Sequence, residues 1–143
     1  MPLIAPDIYA WRAILFFDTF KHVLLNNLVA FMNKDEWIVS ELVKWIDGRI
    51  ESVLTVDDIA KKSGYSKFFL YRKFYDFTGY QIGSYIKNKK LSRAKYLLLW
   101  TDEPVGSIAL QLGFSSQQTF TRLFTKKFNI PPGKWRLIFK TDK

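Results

Sequence analysis

Part of this chain is repeated, and the repeat limits the fold to two copies of one small unit. Ile59-Ala60, Gly64, an aromatic residue and Ser66 recur as Ile108-Ala109, Gly113, an aromatic residue and Ser115, at an offset of 49. Beyond the serine the offset becomes 50, so that Leu70, Arg72, Phe74, Gly79 and Tyr85 align with Phe120, Arg122, Phe124, Asn129 and Trp135. One residue is therefore inserted in the second copy's turn. Two copies fall short of the roughly three units that a solenoid needs for a continuous core, so each must be a module with a core of its own.

Each module reads as two helices around a tight turn. In the first, Thr55 and Asp58 have the spacing of a capping box, and Leu54 and Ile59 that of a hydrophobic staple. Gly64 supplies the positive φ that a tight helix-ending turn requires, and Ser66 is placed to cap the next helix. In the second, Pro104 suits a first helical turn, Gly113 repeats the turn, and Ser115 with Gln118 forms a possible capping box. The same grammar occurs twice.

The remaining elements follow from periodicity. Over 81–100, Ile82, Tyr85, Ile86, Leu91, Ala94, Leu97 and Leu98 recur at helical spacing with no proline, which predicts one long helix between the modules. Ahead of the first module, Ile38, Leu42, Trp45, Ile46 and Ile50 trace an amphipathic stripe that should pack on it. Pro131 and Pro132 stop a helix near the far end, and residues 135–139 form a short final one. No strand is expected. The fold class is all-α, with helix-turn-helix subdomains over 36–80 and 101–143, a linker helix over 81–100 and an apolar extension over 1–35.

Charge and composition restrict the function. Residues 1–35 carry three acidic and three basic side chains, so the net charge of +9 falls entirely on residues 36–143. Such a footprint fits a partner that carries phosphates, although a solvated basic surface has the same charge. The chain has no cysteine and a single histidine, His22, which leaves no thiolate, no sulfur-bound metal and no obvious catalytic base. No cofactor, metal or enzymatic activity is expected. The first 35 residues are interrupted by Arg12, Asp18, Lys21 and His22, short of the ~20 apolar residues that span a bilayer. They also lack a secretory cleavage pattern, so the expected location is cytoplasmic.

The helix after each turn has two faces. In the first module Leu70, Phe74 and Phe77 should face the core, leaving Phe68, Tyr71, Arg72 and Tyr75 outside. In the second, Phe120, Phe124 and Phe128 make the core stripe, leaving Gln117, Gln118, Thr121, Arg122 and Thr125 outward. Arginine can donate twice to guanine, glutamine twice to adenine, and a threonine methyl can meet a thymine methyl in the major groove. Gln118 has a competing role as the third residue of a capping box. Lys87, Lys89, Lys90, Arg93 and Lys95 on the linker helix, with Lys67 and Lys73, are suited to phosphates, which position a protein without specifying sequence.

The residues Gly64-Tyr65-Ser66-Lys67, Gly113-Phe114-Ser115-Ser116-Gln117-Gln118-Thr119-Phe120-Thr121-Arg122, and Pro131-Pro132 with Arg136 resemble the AraC/XylS family, specifically its short MarA/SoxS/Rob-like branch. The resemblance covers residues 36–140. It implies two helix-turn-helix units bridged by a helix, each placing a recognition helix in successive major grooves of promoter DNA, usually to activate transcription. Double-stranded promoter DNA is then the expected partner, with RNA polymerase as a second. By motif match Phe68, Tyr71, Arg72, Gln117, Gln118, Thr121 and Arg122 take base-contacting positions. Ser66, Lys67, Lys73, Lys90, Arg93, Ser116 and Thr119 take phosphate-contacting ones. The chain departs from the branch at Phe68, where relatives carry tryptophan, and at Tyr71, where they carry glutamine, which bears on promoter choice.

Two other function classes compete. A module that binds RNA polymerase or a regulator without reading DNA has no need for arginines at matched positions of two repeats. A nuclease would have to draw metal ligands from the acidic residues after position 35, where the adjacent pair Asp57-Asp58 suits a helix's first turn. With two recognition helices in one chain, a monomer is the expected binding species. Met32 lies just ahead of the resemblance and could serve as a start. A chain beginning there is expected to keep its DNA affinity within a few-fold in an anisotropy titration, whereas unfolding or a loss by orders of magnitude places the extension in the core.

Overall fold

The computed structural model describes residues 33–141. The apolar segment ahead of them, with His22 and Met32, lies outside the described residues. Seven α-helices and no strand occur among those described. The first, α1 (Lys34–Asp47), opens on Asn33, whose side chain accepts from Glu36 N while the Glu36 carboxylate accepts from Asn33 N. This reciprocal box starts the helix two residues ahead of the expected boundary at 36. Its buried residues are Val39, Leu42 and Ile46. Ile50, expected to extend the stripe, lies beyond the helix end.

Next come α2 (Val56–Ser63), α3 (Lys67–Thr78), α4 (Ile82–Trp100), α5 (Val105–Gln111), α6 (Gln117–Phe128) and α7 (Pro132–Phe139). The Thr55 and Asp58 side chains cap α2 reciprocally, as the spacing predicts. Ile59 is fully buried with Leu54 packed against the same cluster, which fits the staple. The turn into α3 uses Gly64 at φ 72°, and that into α6 uses Gly113 at φ 77°. Gly113 is required for a second reason: a Cβ there would come 2.8 Å from Ser52 O. Pro104 precedes α5 as its N-cap, rather than standing in the first turn.

Two cores form, and α4 belongs to both. Ile82, Tyr85 and Ile86 join Val39, Leu42, Ile46, Ile59, Leu70 and Phe74 in the first. Leu91, Ala94, Leu97 and Leu98 join Ile108, Ala109, Leu112, Phe120 and Phe124 in the second. The repeat extends to ring geometry. Phe74 meets Tyr85 edge-on at 5.3 Å, and its counterpart Phe124 meets Trp135 edge-on at 5.9 Å. Both α3 and α6 end on a left-handed residue, Gly79 (φ 75°) and Asn129 (φ 62°), the pair that the repeat aligns. Asparagine is among the few residues other than glycine that adopt this conformation readily.

Phe77 corrects the expected core face of α3. It is 41% exposed, and Thr78 is buried instead, donating its hydroxyl to Phe74 O at 2.7 Å. The stripe therefore runs through Leu70, Phe74 and Thr78 at steps of four, the same register as Phe120, Phe124 and Phe128. Accordingly Phe74→Ala should destabilise the protein by ~3–5 kcal/mol through loss of buried surface and cavity formation, while Phe77→Ala should cost about 1 kcal/mol. Urea unfolding of the two variants checks this, and equal losses would return Phe77 to the core.

Candidate nucleic-acid interface

The N-cap fixes where α3 and α6 each begin and hence which residues share their outer faces. Ser66 caps α3 by accepting from Phe69 N at 3.2 Å. In the second unit the capping residue is Ser116, which accepts from Thr119 N at 3.1 Å, and not Ser115. The expected box of Ser115 with Gln118 is thus absent, because the longer turn places Ser116 at the cap and Gln118 at the second helical position. With this start the two helices are in register at an offset of 50. Phe68, Tyr71 and Arg72 occupy the second, fifth and sixth positions of α3, and Gln118, Thr121 and Arg122 occupy the same positions of α6.

These residues lie at the surface. Phe68 is 75% exposed and Tyr71 43%; Arg72, Gln118 and Arg122 are exposed, and Thr121 is half-buried. Among the described residues no ion pair or side-chain hydrogen bond engages Arg72 or Arg122, so both guanidiniums keep their full donor capacity. Gln117, at the first position of α6, leans back toward α5: its Oε1 lies 2.8 Å from where a Cβ on Gly106 would stand. Beside Phe68, Phe69 turns inward and stacks on Tyr65 at 4.4 Å. Its role is to brace the turn.

Most residues expected at phosphates already have partners. Lys67 pairs with Asp57 at 2.5 Å, and this contact raises its pKa above the usual lysine range. Lys73 pairs with Asp35 at 2.7 Å. Arg93 donates to Glu51, whose carboxyl it holds below the usual carboxylate range. Exposed pairs of this kind contribute ~0.2–1 kcal/mol, little enough for a phosphate to displace the carboxylate. The Thr119 hydroxyl lies 3.0 Å from Ser116 Oγ.

Lys90 corrects the expected set. It is 6% exposed, with its ammonium donating to two backbone carbonyls, and burial pushes its pKa below the usual range. It is not available to a phosphate. Lys127 on α6 was not singled out by the sequence. Its amine lies 3.5 Å from Asn88 O, and burial, then the like charges of Lys95 and Lys87, lower its pKa. Three cations gathered in this way favour an incoming anion. The signal was available as the Lys126-Lys127 pair at the end of α6, but reading it required knowing that α6 ends beside the middle of α4.

No helix among the described residues is long and apolar enough to cross a membrane. The helix-turn-helix domain family matches residues 59–137. The transcriptional regulator Rob of Salmonella typhimurium is 44% identical over 99 residues, covering 69% of this chain and 34% of Rob. The regulatory protein SoxS of Escherichia coli is 42% identical over 99 residues, covering 69% of this chain and 92% of SoxS. The chain thus spans about a third of the length of Rob and nearly all of SoxS. Among solved structures, an AraC-type transcriptional regulator from Chromobacterium violaceum superposes with a TM-score of 0.65 at 32% identity, covering 74% of this chain and 95% of that one. The DNA-binding domain of AdpA, solved in complex with a target DNA, superposes with a TM-score of 0.67 at 22% identity, covering 71% and 91%, a likeness of fold alone. The chain belongs to the AraC/XylS family of helix-turn-helix transcription regulators, in the branch that holds SoxS and Rob.

Proposed function

We propose that this protein is a sequence-specific regulator of transcription that binds double-stranded promoter DNA as a monomer in the cytoplasm, chiefly as an activator. In this reading α3 and α6 enter successive major grooves. One observation carries it: the second, fifth and sixth positions of both helices present surface side chains in the same register, each set ending in an arginine with no ion-pair or hydrogen-bond partner among the described residues. The side chains at those positions divide the work. Arg72 and Arg122 suit bidentate contacts to guanine, Gln118 to adenine, and Phe68 and Tyr71 offer apolar and stacking surface to thymine methyls. Gln117, turned toward Gly106, reaches a base edge only by swinging outward.

Phosphate contacts would come from Lys67 and Lys73 after exchange of their carboxylate partners, from Arg93 through guanidinium nitrogens other than the Nε bonded to Glu51, from the Lys87, Lys95 and Lys127 group, and from the hydroxyls of Ser66, Ser116 and Thr119 at the two helix starts. The N-termini of α3 and α6 add partial positive charge there. RNA polymerase is the second partner in this reading. The exposed side chains of Leu110, Leu137 and Ile138 give α5 and α7 apolar surface that a protein partner could cover.

Arg72→Ala and Arg122→Ala should each weaken specific binding by ~1–3 kcal/mol while leaving affinity for unselected duplex unchanged. Competition titrations with selected and unselected duplexes measure both quantities. Equal losses on the two duplexes would remove base reading from these arginines.

A further inference from the structure

Two carbonyls from opposite halves of the molecule meet on one buried ammonium. Lys90 Nζ donates to Ser52 O, in the loop after α1, and to Leu112 O, at the end of α5, both at 2.5 Å. A second bridge lies beside it. Glu51 accepts from Arg93 Nε on α4 and from Gln111 Nε2 on α5, the latter at 2.9 Å. Packing is close enough that a Cβ on Gly113 would come 2.9 Å from Lys90 Nζ. The loop of the first unit is thereby held against the turn that leads into α6.

This seam lies where α4 is least supported. The apolar contacts of α4 with the first core end at Ile86, and those with the second begin at Leu91. Between them stand Lys87, Asn88, Lys89 and Lys90. The substantial helix-to-helix contacts lie within one unit or run through α4. A helix that is the main link between two bodies can bend or twist at an unsupported middle, and long helices do curve. A strut between the bodies at that level removes the freedom. An ammonium is suited to be that strut, since it carries three donors and its hydrogen bonds to carbonyls are charge-assisted.

We propose that Lys90, backed by Glu51, is the positioning residue that fixes the angle between α3 and α6 and so sets which half-site spacing the protein accepts. The spacing consequence rests on the DNA-reading function proposed above; the angular one does not. Lys90→Met keeps the length of the side chain and removes its donors, leaving both carbonyls unpaired.

The test has an arm without DNA and an arm with it. The chain has no cysteine, so Lys61→Cys on α2 and Lys126→Cys on α6, both exposed, accept spin labels at single places in the full chain. The distance distribution between them is expected to be narrow with Lys90 present and to broaden or shift with Lys90→Met. In the second arm, a duplex selected by the unsubstituted protein from a random pool is altered by one base pair between half-sites, a rotation of about 36°. That protein should lose about tenfold in affinity and Lys90→Met about threefold or less, with affinity for unselected duplex alike. An unchanged distance distribution in folded Lys90→Met overturns the proposal whatever the DNA arm gives, and so does an unchanged spacing profile. If the distance broadens but the unsubstituted protein selects no sequence, the positioning role stands and the DNA-reading function falls. Should Lys90→Met fail to fold, Glu51→Ala removes the partly exposed bridge alone; it must broaden the distance, and a narrow one overturns the proposal.

Discussion

The division of one helix between two cores underlies the rest of the structure. Neither unit has enough helix of its own to close a core: α1, α2 and α3 need Ile82, Tyr85 and Ile86, while α5, α6 and α7 need Leu91, Ala94, Leu97 and Leu98. Each unit is therefore stable in its position on α4, and the stripe on α4 decides where that position is. Nineteen residues of helix extend over roughly 28 Å, close to the ~34 Å between successive major grooves on one face of DNA. The hydrophobic effect thus seats α3 and α6, the proposed recognition helices, on a connector whose length is on the scale of one helical turn of DNA. Polar contacts at the seam refine the angle.

The two cores also explain the distribution of polar side chains on the recognition helices. Burial at steps of four along α3 and α6 uses Leu70, Phe74 and Thr78 in one and Phe120, Phe124 and Phe128 in the other, so the second, fifth and sixth positions are left at the surface, with Thr121 half-buried. Among the described residues the arginines at the sixth position have no ion-pair partner, whereas Lys67 and Lys73 are already neutralised by Asp57 and Asp35. This arrangement separates two tasks. In the proposed complex the arginines have no competitor for a base among the described residues, whereas the paired lysines would exchange one anion for another and add little until a backbone phosphate replaced the carboxylate.

Much of this was legible in the sequence because it depends on local spacing. The Thr55 and Asp58 box, the left-handed glycines 64 and 113, and all seven buried apolar positions of α4 follow from residues within a turn or two of each other. The repeat paired Phe74 with Phe124 and Tyr85 with Trp135, and the structure gives both pairs the same edge-on packing. What sequence reasoning misplaced depends on distant or finely balanced choices. Lys90 sits in a basic run that reads as solvated, and its burial is decided by Ser52 and Leu112, 38 and 22 residues away. Ser115 and Ser116 are equivalent caps until the turn length selects one. Phe77 and Thr78 compete for the last core position of α3, and the helical phase, not hydrophobicity, favours threonine.

The proposed reading of two grooves by a single chain makes a geometric demand on its complex with DNA. Hydroxyl-radical footprinting of a selected duplex, combined with the mass of the complex from sedimentation, measures it directly. One chain per duplex should protect two segments centred ~10 base pairs apart on the same face of the DNA. Two chains per duplex, or protection confined to a single groove, would show that α3 and α6 of one chain do not act together.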